Sequence, residues 1–137
     1  MAVYPQLLHT VLDTTTPREL AEFYRELLGL RYRAGDEPDA SGDAEEPGWL
    51  VLVDEDDKRM LAFQRVERLA RTTWPDHDVP MQLHLDLTVP DVDELYRQRE
   101  RAETLGAELL LDRSDDADEP LFVFADLSGH PFCIFVA

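Results

Sequence analysis

His84 and Asp86 stand two residues apart in a stretch whose odd and even positions differ in kind. Leu83, Leu85, Leu87 and Val89 alternate there with Gln82, His84, Asp86 and Thr88. Period two is the signature of a strand, so the imidazole and the carboxylate share its polar face. A carboxylate beside an imidazole can orient the ring and hold its proton, the arrangement that general acid/base chemistry uses. The pair is the catalytic candidate if no metal is involved. The plainer alternative is a structural hydrogen bond to a neighbouring strand, with His84 a satisfied core residue.

Other groups are candidates for ligand contact. Gln64 offers an amide. Trp74 sits in a connection, where it either packs over a cavity mouth or anchors the linker. His130 precedes the last apolar run and either reaches a cavity or caps a turn. Phe122 and Phe124, with Trp49, Phe63 and Phe135, supply aromatic surface, most of it core, whose facing depends on strand register. Cys133 lies among Phe132, Ile134 and Phe135, where burial as a small hydrophobe outweighs reactivity. His9 lies on a run with looser alternation whose face also holds Val11.

The elements that must position these groups follow from local pattern. Gln6 to Asp13 has strand character, and Thr16-Pro17-Arg18-Glu19 reads as a helix start, with Thr16 the cap and Glu19 its reciprocal partner. Leu20, Phe23, Tyr24, Leu27 and Leu28 recur at helical spacing up to Gly29. Leu30 to Arg33, Trp49 to Val53 and Arg59 to Val66 read as strands, the first two separated by an acidic, mobile loop from Ala34 to Gly48. Beyond a linker at 67–81 with Pro75 and Pro80, the strand of His84 leads to a second helix start, Asp91 with Glu94 three residues on. That helix runs to Gly106, and Ala107 to Leu111, Leu121 to Ala125 and Phe132 to Val136 complete the order.

Both halves therefore read β-α-β-β-β, and His9 precedes Glu19 by the same ten residues that separate His84 from Glu94. A repeated unit with one apolar and one partly polar sheet face is best completed by its copy. The expected fold is α+β: two βαβββ modules in tandem, forming a curved mixed sheet around a cleft with helices outside. One domain spans 1–137, with module 1 at about 5–66 and module 2 at about 82–137. The competing fold, an α+β sandwich with ferredoxin-like connections, leaves the matched intervals unexplained.

Composition narrows the partners. Thirty Asp and Glu against 13 Lys and Arg give a formal net charge of −17. Such a field disfavours nucleic acid and anionic membrane surfaces. Its first meaning is solubility, its second the attraction of a cationic ligand. A single cysteine excludes an intrachain disulfide. The opening MAVYPQLLHT has no basic start before an apolar stretch, and no apolar run approaches the roughly 18 residues a membrane span needs, so the expected location is cytoplasmic.

Several motifs carry a family resemblance. His9-Thr10-Val11-Leu12, with Phe23-Tyr24 and Leu27-Leu28-Gly29-Leu30, resembles the opening of the vicinal oxygen chelate superfamily, which includes glyoxalase I, bleomycin-resistance proteins and extradiol dioxygenases. His84-Leu85-Asp86-Leu87 with Asp91-Val92-Asp93 resembles the start of its second module. Ala125 to Cys133 is similar to its final turn and strand, closest to the glyoxalase-like branch common in actinobacteria.

In metal-dependent members four ligands come from the first, fourth, fifth and eighth strands. The resemblance maps them onto His9, Gln64, His84 and Cys133. Both family carboxylates are absent, so affinity for a hard divalent ion should drop, while zinc remains compatible through nitrogen and sulfur. No cofactor is required by these residues; Zn, Ni, Mn or Fe are the metals to test.

The resemblance implies a protein that binds a small organic molecule between its modules, of lyase or isomerase type. The glyoxalase I reaction itself is not expected with Cys133 in place of the Glu. Two alternatives stand beside it: a metal-free, drug-sequestering protein of the bleomycin-resistance kind, and a metal-free acid/base enzyme using His84 and Asp86. A homodimer is expected.

Overall fold

A computed structural model describes residues 3–42 and 45–137, so Asp43 and Ala44 of the acidic loop lie outside the described residues. The chain divides into two compact units, Met1–Arg68 and Leu69–Ala137, with the division inside the expected linker.

The first unit contains β1 (Thr10–Thr14), α1 (Pro17–Leu28), β2 (Arg31–Tyr32), β3 (Trp49–Val53) and β4 (Arg59–Arg65). Its sheet has the order β1-β4-β3-β2, with β1 parallel to β4 and the other pairs antiparallel. The second unit contains β5 (Leu85–Val89), α2 (Val92–Thr104), β6 (Glu108–Arg113), β7 (Leu121–Ala125) and β8 (Pro131–Val136). Its order, β5-β8-β7-β6, is the same topology, again with one parallel pair, β5 and β8. The βαβββ repeat is thus realised as two four-stranded mixed sheets, one in each unit.

Each helix covers one face of its own sheet. In the first unit Tyr24 stacks on Phe63 with ring centroids 6.1 Å apart, and Phe63 shares its rung with Leu12 and Leu50. Leu12, Leu20, Tyr24, Leu50 and Phe63 are buried. Period two then turns Val11, Val51, Ala62 and Gln64 to the opposite face. In the second unit Phe122 meets Tyr96 of α2 edge-on at 5.7 Å, and Arg99 lies 4.9 Å over its ring. Phe124 stacks on Phe132 at 5.2 Å. Each such buried side chain contributes about 1.5–3 kcal/mol through removal from water.

Several boundaries differ from the sequence pattern for identifiable reasons. β1 starts at Thr10 rather than Gln6, because Leu7 and Leu8 find no cover and stay exposed. β5 starts at Leu85 rather than Gln82. Leu85 pairs with Phe132, so the preceding rung would set His84 against Pro131, which has no N–H to offer a ladder. Thr16 occupies the cap position of α1 without a side-chain cap bond. The Glu46 carboxylate accepts the Arg18 N–H instead at 2.7 Å, a long-range cap that local pattern cannot reveal. α2 follows its pattern, since Asp91 accepts the Glu94 N–H at 2.8 Å. Gly29 ends α1 at φ +67°, a conformation that strains any other residue.

Candidate functional site

β5 and β8 build the site. Their parallel register sets Asp86 beside Cys133, and Val123 of β7 completes the rung. Phe132 and Ile134, the neighbours of Cys133, point toward α2 with Phe122 and Phe124, so Asp86 and Cys133 emerge on the other face. His84 lies two residues before Asp86, and its Nε2 stands 3.2 Å from Asp86 Oδ1. One donor atom from each of His84, Asp86 and Cys133 lies within 4.8 Å of the other two.

Electrostatics distinguish the three. The Cys133 side chain is partly buried, and its pKa is pushed up to about 11, first by burial and then by the Asp86 carboxylate and, more distantly, Glu119. It is a neutral thiol at physiological pH, hydrogen-bonded to Asp86. His84 and Asp86 are both exposed, so a solute can reach them. With Nε2 turned to Asp86, Nδ1 is the nitrogen left to meet a ligand.

The face turned away from α1 in the first unit carries a second group. His9 and Gln64 both belong to it by register, Gln64 on the rung of Asp13 and Trp49. The His9 ring lies 5.9 Å from that of Trp49. Its Nδ1 is buried and has no hydrogen-bond partner among the described residues. Burial, with Arg59 and Arg33 adding like charge, holds its pKa below the usual imidazole value.

Of the residues singled out by pattern or resemblance, the structure brings His84, Asp86 and Cys133 together and places His9 and Gln64 on the first unit's sheet. Phe122 and Phe124 are corrected: both are fully buried on the α2 side of their sheet, opposite the face of Asp86 and Cys133, and serve as core. Trp74 is half-buried in a turn where its N–H meets Thr72 Oγ1 at 3.2 Å and Thr73 N–H donates to the Val79 carbonyl. His130 donates its backbone N–H to Asp126 Oδ1 at 3.0 Å. The buried Asp126 organises that turn, accepting from Ser128 as well, a role its Asp-x-x-Gly setting could have suggested. Asp86 as a third donor beside Cys133 is also new, because the β5–β8 register that joins them leaves no local trace.

A cavity of about 440 Å³ between α1 and β2 is lined by Glu22, Arg25, Arg31, Tyr32, Glu37 and Pro38. Its polar groups are engaged within the protein: Arg25 pairs with Glu22, Arg31 with Asp57, the Tyr32 hydroxyl donates to Glu22 at 2.8 Å, and Glu37 accepts the Gly35 N–H.

Two repeated βαβββ units with this strand order are the fold of the glyoxalase/bleomycin-resistance/dioxygenase type of protein. The family model described as "Glyoxalase-like domain" matches residues 9–135, and the chain belongs to that family, within the vicinal oxygen chelate superfamily. No curated protein matches the sequence.

Solved structures share the fold. A glyoxalase/bleomycin resistance protein/dioxygenase family enzyme from Burkholderia phytofirmans PsJN is 13% identical with a TM-score of 0.69, over 94% of this chain and 96% of that one. The fosfomycin resistance protein FosX from Mesorhizobium loti is 16% identical with a TM-score of 0.67, over 98% and 94%. A variant of FosX from Listeria monocytogenes, solved with Mn(II) and 1S,2S-dihydroxypropylphosphonic acid, is 14% identical with a TM-score of 0.69, over 98% and 94%. No helix among the described residues is long and apolar enough to cross a membrane.

Proposed function

We propose that this chain is a glyoxalase-like protein that binds a small organic molecule against the exposed face of β5 and β8 and acts on it as a lyase or isomerase. The observation that carries this reading is the approach of His84, Asp86 and Cys133 donor atoms to within 4.8 Å of one another. Asp86 holds the imidazole through Nε2, leaving Nδ1 to give or take a proton at the substrate. The half-buried thiol backs the carboxylate on its other side.

The donor set suits a divalent ion. Imidazole nitrogen, carboxylate oxygen and sulfur together satisfy zinc, and three protein donors leave a coordination position open to a substrate oxygen. Sulfur turns the preference away from the hard Mn(II) bound by the Listeria FosX variant. When bound, such an ion would act as a Lewis acid on substrate oxygens. Because the thiol must lose its proton to ligate, affinity should rise with pH.

Cobalt substitution tests the site. Wild-type protein titrated with Co(II) should develop sulfur-to-cobalt charge-transfer absorption that vanishes in Cys133→Ser and weakens strongly in His84→Ala. Absence of both the band and retained metal in wild-type protein would sink the metal site.

The 3.2 Å approach of His84 to Asp86 supports a second reading, acid/base catalysis without metal. Turnover would then survive chelator and collapse in His84→Ala. Tight binding of planar cations with no turnover in either case would favour a sequestering protein.

A further inference from the structure

The geometry points to a second ligand site in the cavity between α1 and β2, one that takes a small zwitterion bearing an ammonium group and a carboxylate, of the α-amino acid class. The cavity, about 440 Å³, falls within the roughly 300–1,000 Å³ typical of small-molecule sites. It belongs to the first unit, so the proposal is independent of the chemistry assigned to His84, Asp86 and Cys133.

Three elements build its walls. α1 supplies Glu22 and Arg25, β2 supplies Arg31 and Tyr32, and the loop after β2 supplies Glu37 and Pro38. Asp36 fastens that loop: its carboxylate accepts the Val51 N–H at 2.9 Å and pairs with Arg33 at 3.1 Å, and its carbonyl accepts Arg18 Nη1 at 2.6 Å. Glu22 ties helix to strand, accepting Arg25 Nε at 2.6 Å and the Tyr32 hydroxyl at 2.8 Å. The cavity is therefore held in shape before any ligand arrives.

The charged groups around it keep unused capacity. Arg25 bonds through Nε and Nη2 and leaves Nη1. Arg31 uses only Nη2, on the Glu55 carbonyl at 3.2 Å and Asp57 Oδ1 at 2.7 Å, and leaves Nε and Nη1. Glu37 accepts the Gly35 N–H at 2.8 Å through Oε2, and no cation pairs with it among the described residues. A simple anion would suit the guanidiniums but meet Glu22 and Glu37, and a simple cation would meet Arg25 and Arg31. A molecule carrying both charges satisfies both, its carboxylate on the guanidinium N–H groups and its ammonium on Glu37. Pro38, which has no N–H, offers an apolar contact for the amino acid's side chain.

Heteronuclear NMR of the isotope-labelled full chain, titrated in turn with each common protein amino acid, tests it. At least one should give saturable shifts centred on the amides of Glu22 to Arg25 and Arg31 to Glu37. The amine and the carboxylic acid that each lack one of its two charges should bind at least about fivefold more weakly, a comparison that needs no variant. Arg31→Gln and Glu37→Gln, both at exposed positions, should each weaken the amino acid about three- to fivefold, and His84→Ala should leave its affinity unchanged. The proposal is overturned if no amino acid gives saturable shifts there, if either singly charged analogue binds as well, or if full affinity survives in either folded variant. Loss of binding in His84→Ala would place the ligand at the β5–β8 face and overturn it too.

Discussion

Asp86 and Cys133 occupy the same rung of the parallel β5–β8 ladder, so a carboxylate and a thiol distant in sequence emerge side by side. Burial raises the thiol first and the Asp86 charge adds to it, to about 11. In metal-free protein, Asp86→Asn should therefore speed alkylation of Cys133 by iodoacetamide at pH 8 by several-fold. The thiolate fraction grows about tenfold per unit of pKa recovered, partly offset by lower nucleophilicity. An unchanged rate would mean that burial alone sets the thiol.

The same shift has a stability consequence at high pH. A group whose folded-state pKa is raised contributes stability below its unfolded value, and that stability is lost as pH rises through the folded value. Chelator-treated wild-type protein should lose stability between pH 9 and about 11. Cys133→Ala should flatten urea midpoints across that window.

His9 titrates with the opposite sign. Burial, then Arg59 and Arg33, lower its pKa, so the folded state resists protonation and stability falls as pH drops below the ordinary imidazole range. His9→Leu should remove that slope below the ordinary imidazole range. An NMR titration should show the His9 ring taking up its proton at lower pH than a free imidazole does.

Core and site should separate under truncation. Phe124→Ala should cost about 3–5 kcal/mol in urea unfolding, because it empties a fully buried position stacked on Phe132. His84→Ala, at an exposed position, should stay within about 0.5 kcal/mol of wild type while abolishing binding or turnover. Ligand binding retained by a folded Phe124 variant would further support the assignment of this ring to the core.

The two helix caps should respond unequally. Asp91→Ala removes the bond to the Glu94 N–H and should lower stability by about 1 kcal/mol. Thr16→Ala removes no side-chain cap bond and should be nearly neutral. Glu46→Ala should carry the cost at α1 instead, through loss of the Arg18 contact.

What local pattern could reveal, it revealed. The ten-residue interval from His9 to Glu19 and from His84 to Glu94 marks a repeat, and both units adopt the same strand order. β3 and β7 match their apolar runs end to end, and Gly29 closes α1 as its spacing required. These features depend on neighbours within a few residues, where backbone preference and period two or 3.6 dominate.

Only tertiary structure decided the rest. Whether Phe122 and Phe124 line a ligand site or fill the core depends on which face of β7 receives α2. That Asp86 joins Cys133 depends on the register of a parallel pair whose members are 47 positions apart. The failure of Gln82 to His84 to enter the ladder depends on Pro131 across the sheet. Amino-acid sequence by itself determined which segments form helices and strands, because those choices are local. Register and facing settled which side chains meet, because non-local pairing is chosen by how buried surfaces fit across the sheet.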